Sequence, residues 1–143
     1  MIVKQVSVFL ENRAGRLAEV TGILADQKIN IRALSLADSA DFGILRLIVD
    51  DVNRAKAILK EEGLTVRETD VVAVQVPDRP GGLAHLLRAL SGEKLNVEYM
   101  YAFVKAPSQS AVMIFRFHDI HRALEVLERK GIRTIPGDEL YNM

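Results

Sequence analysis

The chain has 143 residues, of which 49% are hydrophobic and 27% charged, and its 19 basic and 19 acidic side chains cancel. This balance is typical of a globular protein, and a net charge of zero disfavours nucleic acid and anionic membranes as partners because no positive field attracts them. The absence of cysteine excludes disulfides, thiolate metal sites and cysteine nucleophiles, and no apolar run approaches the roughly 20 residues of a membrane helix, so we expect a cytoplasmic protein.

The first half of the chain alternates between strand-like and helix-like patterns. Alternation of apolar residues predicts strands, an apolar stripe at helical spacing predicts a helix, and a polar turn between two apolar runs predicts a hairpin. Asp50 and Asp51 supply acceptors for the start of a second helix, which Gly63 ends. The predicted elements are strand 3–10, helix 15–27, strands 30–37 and 42–49, the second helix, and a strand from Leu64.

The second half repeats this order. The stretch "ENRAGRL" begins at Glu11, a near copy, "PDRPGGL", begins at Pro77, and Asp78 follows Asn12 by 66 residues. A repeat of that length indicates an internal duplication. The second copy runs from Val71 to about Pro136, with a helix at 81–93, strands near 96–104 and 110–117, and a helix at 119–130.

Each copy therefore has the order β-α-β-β-α-β, in which a four-stranded antiparallel sheet carries both helices on one face. We predict an α+β protein with two tandem ferredoxin-like domains, residues 1–69 and 70–143. Residues 96–104 carry large apolar groups on both sides of the strand. Such a strand invites pairing, so we predict that the other repeat or another chain covers it.

The duplicated turn, in this setting, resembles the ACT regulatory domain. The resemblance rests on an apolar strand, Asn/Asp-Arg-Ala/Pro-Gly-x-Leu, an amphipathic helix and then Asn-Ile/Val, and it covers about residues 3–136. It implies paired domains that bind amino acids at their interface and relay occupancy to an enzyme or transcription factor. The turn suits this role, because a sharp bend at a glycine exposes the free amides of the first helical turn to a carboxylate.

The resemblance places the ligand-facing residues at the two turns and at the heads of the second strands. The candidates in the first copy are Leu10, Asn12, Arg13, Ala14, Gly15, Arg16, Leu17, Asn30 and Ile31. Those in the second copy are Asp78, Arg79, Pro80, Gly81, Gly82, Leu83, Asn96 and Val97.

Three departures from the family pattern bear on the ligand. Serine-binding members resemble His-Glu-Asn-Arg-Pro-Gly, whereas Leu10 takes the first position here and favours an apolar ligand. Ala14 replaces the usual proline, which loosens the first turn. Asp78 replaces asparagine in the second copy, where a carboxylate repels a ligand carboxylate but accepts an ammonium group. The two sites therefore need not be equivalent.

Structural explanations of the same residues stay open. The glycines of the two turns can serve backbone geometry alone, and Asn12 and Asp78 can cap helices. His118 and His121 have a spacing that can ligate a metal, but no third ligand stands nearby. We therefore predict no metal, no cofactor and no catalytic residue.

These observations predict a regulatory protein that stands alone, senses an apolar amino acid of the leucine, isoleucine, valine or phenylalanine class, and acts in trans on a partner enzyme or regulator. A homodimer is expected. The main alternative is a ligand-free structural or regulatory subunit of an enzyme complex. An enzyme on this scaffold lacks an acid/base pair, and an RNA-binding sheet lacks stacking aromatics and positive charge.

Overall fold

The computed structural model describes residues 1–38, 41–104 and 110–142. Its elements in chain order are β1 (Val3–Glu11), α1 (Arg16–Asp26), β2 (Ile31–Asp38), β3 (Phe42–Val49), α2 (Val52–Glu61), β4 (Thr65–Pro77), α3 (Gly82–Ser91), β5 (Val97–Val104), β6 (Ser110–Phe117), α4 (Ile120–Arg129), β7 (Thr134–Ile135) and α5 (Gly137–Tyr141). The predicted α+β class and the predicted order of each copy are confirmed.

Two features differ from the sequence-based prediction. β4 is one strand of 13 residues, where the sequence analysis ended one copy and began the next. The segment between Val66 and Val76 contains neither glycine nor proline, so nothing in it breaks the extended backbone. The short tail from Gly137, for which the sequence predicts no helix or strand, forms α5, whose Leu140 is fully buried.

The chain divides into two compact units. The N-terminal unit contains Lys4–Thr69 and the end of the chain from Tyr141, and the C-terminal unit contains Met1–Val3 and Asp70–Leu140. The first residues of the chain thus belong to the C-terminal unit, and the last belong to the N-terminal unit. No helix among the described residues is both long enough and apolar enough to cross a bilayer.

In the N-terminal unit the strand order is β2-β3-β1, and β4 neighbours β1. All described pairs are antiparallel, and Leu45 on β3 lies opposite both Val8 and Leu36. The sheet packs against α1 and α2. Helix α1 buries Val20 and Leu24, and helix α2 buries Ala55 and Leu59.

The C-terminal unit repeats this plan with the strand order β7-β4-β6-β5. Phe115 and Phe117 stack at 5.5 Å between ring centroids and are fully buried under α3 and α4. The side chains of Asp51 and Asp119 accept hydrogen bonds from the N–H groups of Arg54 and Arg122, both at 3.1 Å. The predicted helix start at Asp51 is therefore confirmed, and the second copy reproduces it.

Tyr141 fastens the end of the chain to the N-terminal unit. Its hydroxyl oxygen accepts a hydrogen bond from the Lys4 N–H at 2.7 Å, and the hydroxyl donates to the Lys4 carbonyl at 3.4 Å. Its carbonyl oxygen accepts from Arg32 Nε at 2.8 Å. These bonds join residues at opposite ends of the sequence, so they hold the tail as part of the fold.

Tyr141→Phe tests this attachment because it removes only the hydroxyl. We expect the free energy of unfolding to fall by about 1 kcal/mol, since the half-buried Lys4 N–H loses its partner. Urea unfolding measures the change. An unchanged midpoint and slope would show that the hydroxyl does not contribute net stability.

Candidate functional site

The first turn leads from β1 directly into α1. Gly15 occupies the position before the helix with φ of +89°, in the left-handed region that favours glycine. The Arg13 N–H bonds the Glu11 carbonyl at 2.9 Å, and the Arg16 N–H approaches the Arg13 carbonyl at 3.4 Å. Gly15, rather than Asn12, therefore stands at the capping position, and the first amides of α1 face the turn.

A cavity of about 270 Å³ lies beside this turn. Its wall comes from the end of β1, the turn, the start of α1, and the paired strands β2 and β3. The lining residues are Leu10, Glu11, Asn12, Arg13, Arg16, Leu17, Leu36 and Gly43. All of them belong to the N-terminal unit.

Most of the first-copy candidates lie in this wall. Ala14 and Gly15 are exposed in the turn and do not line the cavity. Sequence reasoning missed Glu11, Leu36 and Gly43. Gly43 carried a signal, since a glycine within an apolar strand often marks a close approach. It pairs with Leu10, and a Cβ there would lie 3.4 Å from Leu36 Cδ1.

The cavity wall has an apolar part and a charged part. Leu10 is buried, whereas Leu17 and Leu36 are 38% and 51% exposed. On the charged side, Arg13 Nε lies 3.2 Å from Glu11 Oε2, and both side chains are largely exposed. This division suits a small molecule with a charged head and an apolar body.

The turn is also tied to the far side of the cavity. The Asn12 N–H donates to the Asp41 carbonyl at 3.0 Å, just before β3 begins. This bond fixes the turn against the β2–β3 hairpin, so the cavity wall is set by backbone contacts as well as by side chains.

The remaining first-copy candidates lie elsewhere. Asn30 exchanges backbone and side-chain bonds with Asp50: its N–H reaches Asp50 Oδ1 at 3.0 Å, and its carbonyl accepts from the Asp50 N–H at 3.1 Å. Ile31 packs partly against the core. Both precede or begin β2, whereas Leu36 lies five residues further along that strand. The cavity and these two residues are thus at opposite ends of β2.

The second turn has the same backbone but a different surface. Gly81 has φ of +87°, the Arg79 N–H bonds the Pro77 carbonyl at 3.0 Å, and the Gly82 N–H bonds the Arg79 carbonyl at 3.1 Å. Asp78, Arg79 and Pro80 are exposed, as is Gly81. Gly82 is buried, and a Cβ there would lie 2.2 Å from the Pro77 carbonyl oxygen. No side chain fits at that position without movement of the backbone.

The last second-copy candidates lie at the core and at the start of β5. Leu83 and Val97 pack partly against the core. The Asn96 carbonyl accepts a hydrogen bond from the His118 N–H at 3.1 Å, as the Asn30 carbonyl does from Asp50 in the first copy.

A second cavity, of about 190 Å³, lies beside α3 and the end of β4. Its lining residues are Gln75, Val76, Pro77, Gly82, His85, Leu86, Gly131, Ile132 and Arg133. The last three belong to the segment between α4 and β7, and the matching segment of the first copy, around Gly63, does not line the first cavity. The two cavities are therefore not counterparts. Among the described residues, no three His, Cys, Asp or Glu side chains are grouped to hold a metal.

The family model of the ACT domain pair matches residues 1–143. A crystal structure of a protein from Bacteroides thetaiotaomicron is 43% identical to this chain, with a TM-score of 0.94. That match covers 100% of this chain and 98% of the other. The sequence-based resemblance is therefore confirmed.

Two more distant relatives are named as subunits of enzymes. The acetolactate synthase small subunit of Haemophilus influenzae is 28% identical over 117 residues, covering 82% of this chain and 64% of its own length. This chain thus spans less than two thirds of that relative. The regulatory subunit of aspartate kinase from Thermus thermophilus is 18% identical with a TM-score of 0.61, and the match covers 88% of this chain and 91% of that one. At this identity the likeness shows the fold alone.

The backbone of the first turn can be tested with one substitution at two glycines of the same unit. At Gly15 and Gly22 an added Cβ meets nothing within 4 Å, but only Gly15 has a positive φ. We expect Gly15→Ala to lower the free energy of unfolding by about 1 kcal/mol because alanine is strained there.

Gly22→Ala is the matched control, since Gly22 lies inside α1. It should raise the free energy of unfolding by about 0.5–1 kcal/mol, because alanine loses less backbone entropy in a helix. Urea unfolding of both variants gives the two signs. A change of the same sign and size at both positions would contradict the assignment of strain to the turn.

Proposed function

Because the chain belongs to the ACT domain pair family, we propose that it is a regulatory protein that binds a free amino acid with an apolar side chain, of the leucine, isoleucine, valine or phenylalanine class. In this proposal it has no catalytic residue and no cofactor, and it acts in trans on a partner enzyme or regulator. Its ligand site is the cavity at the first turn.

The observation that carries the proposal is the division of the cavity wall. The leucines of β1, α1 and β2 supply an apolar surface for the ligand side chain. The first amides of α1 supply donors for its carboxylate, where the helix dipole also favours a negative charge. The Glu11 carboxylate and the Asn12 amide oxygen can accept hydrogen bonds from its ammonium group.

The size of the cavity supports a small ligand. Pockets for drug-sized molecules occupy roughly 300–1,000 Å³. The cavity here, at about 270 Å³, lies just below that range and suits a single amino acid. Leu10, which is 4% exposed, makes the inner wall of the cavity apolar. The wall therefore favours an apolar ligand side chain over one with a hydroxyl group.

The name of one relative supports a partner enzyme. That relative is the small subunit of acetolactate synthase. We propose a comparable division of labour here, in which this chain senses the ligand and a separate protein carries out the reaction.

We also propose a cytoplasmic homodimer. The location rests on the absence of cysteine from the sequence. For the dimer, β2 stands at the end of the strand order, and Leu34 and Leu36 on it are each 51% exposed. They share a face with Leu45 and Leu47 of β3, so they continue the apolar surface of the core to the edge. An edge strand of this kind favours pairing with a second copy.

The first test is a thermal-shift screen of the full chain with each of the twenty amino acids, followed by calorimetry. A ligand that binds only the folded state raises its stability, so we expect selective stabilisation by apolar amino acids and none by serine or charged ones. Stabilisation by a polar class alone would overturn the apolar specificity. No stabilisation by any amino acid would favour a ligand-free subunit.

A second test concerns the position of the site. Asn12→Ala removes a side chain from the cavity wall, and loss of one hydrogen bond to a charged ligand group should weaken binding about tenfold or more. Asn53→Ala, at an exposed position on α2, is the matched control and should leave affinity unchanged. Calorimetric titration measures both. Equal affinities of the two variants would place the site elsewhere.

A further inference from the structure

We propose that Arg16 binds the carboxylate of the ligand, and that each chain therefore holds one amino acid, in the N-terminal unit alone. The inference rests on the proposed function and assigns the anion-binding residue and the stoichiometry of the same site.

The Arg16 side chain is incompletely hydrogen-bonded. Arg16 is the first residue of α1 and lines the first cavity, and its side chain is only 16% exposed. Its Nε atom is buried and has no hydrogen-bond partner among the residues that the structure describes. A buried charged donor without a partner costs free energy, and native structures rarely leave one unsatisfied. A ligand carboxylate in the cavity can supply the missing acceptor once the Arg16 side chain turns its guanidinium towards it.

An ion pair with Glu19 orients the Arg16 side chain. Its NH1 group donates to Glu19 Oε2 at 2.9 Å, one turn further along α1. This bond orients the guanidinium and balances its charge when the site is empty. It uses one of five N–H donors, so Nε and a terminal nitrogen can still form the two parallel bonds that a carboxylate accepts from arginine. The N-terminus of the 11-residue α1 adds its dipole at the same place.

The second turn differs from the first at the position of Arg16. It has the same backbone bonds as the first, so the two turns can be compared residue by residue. The position of Arg16 is taken by Gly82, where a Cβ would come within 2.2 Å of the Pro77 carbonyl oxygen. The position of Asn12 is taken by Asp78. At the position of Arg16 the second turn therefore has no cation and no room for one, and Asp78 adds a negative charge where the first turn has a neutral amide.

These three observations point to one occupied site per chain. The first copy recognises the amino acid through a charged residue that the family motif leaves variable. The second copy keeps the fold of the turn, but its surface disfavours an anion. The duplication therefore supplies one unit that binds the amino acid and a second unit that does not.

The test is calorimetric titration of the full chain with L-leucine, L-isoleucine, L-valine and L-phenylalanine, and with the carboxamide of each. For the wild-type chain we expect one bound amino acid per chain and binding of the carboxamide that is weaker by about tenfold or more, because the negative charge is lost. Arg16→Met should weaken binding of the acid by about 10- to 100-fold and abolish the preference for acid over amide.

The ligand-free thermal midpoint separates a binding role from a structural one. Arg16→Met removes a buried Nε without a partner and also the partly exposed ion pair with Glu19; the two effects oppose each other, so we expect the midpoint to change little. The matched control is Arg88→Met at an exposed position on α3, which should leave affinity, stoichiometry and acid preference unchanged.

The outcomes distinguish the two proposals. Two bound amino acids per chain, equal binding of acid and amide, or unchanged affinity of Arg16→Met would overturn this inference while the proposed sensing function stands. A large drop in the ligand-free midpoint of Arg16→Met, with normal affinity, would make Arg16 a structural residue. No binding of any of the four amino acids by the wild-type chain would overturn both proposals.

Discussion

The sharp passage from strand to helix at Gly15 is the constraint on which the site depends. A φ of +89° there lets α1 begin five residues after β1 ends, so the first residue of the helix stands beside the end of the strand. Burial of the α1 apolar face on the sheet fixes the rest of the helix. Arg16 and Leu17 at the start of the helix are thereby held beside a cavity that residues of the neighbouring strands also line.

The two copies show how duplication separates fold from binding. Both glycines of the turns, the helix caps at Asp51 and Asp119, and the backbone bonds of the turns are kept. These features are needed for folding in each copy. The residues at two matching positions of the turns differ: the second turn has Gly82 in place of Arg16 and Asp78 in place of Asn12.

Sequence patterns predicted most elements because their signals are local. β6 has the bounds predicted from its apolar run, and the helices follow their apolar stripes. The continuity of β4 and the helix in the tail were missed, since polar residues between two copies look like a linker and α5 depends on burial of Leu140. The sequence predicted part of the cavity wall. The turn was found from its motif, but Leu36 reaches it only through strand pairing, and the buried Nε of Arg16 depends on packing that no local pattern records.

NMR tests the central claim most directly. The isotope-labelled full chain is titrated with L-leucine and L-phenylalanine while the signals of the backbone amides and of the arginine Nε–H groups are recorded. The account predicts that the amides of Gly15, Arg16 and Gly43 and the Arg16 Nε–H shift together, while those of Gly81 and Gly82 do not. Equal shifts at both turns, shifts confined to the second turn, or no shift with either amino acid would contradict it.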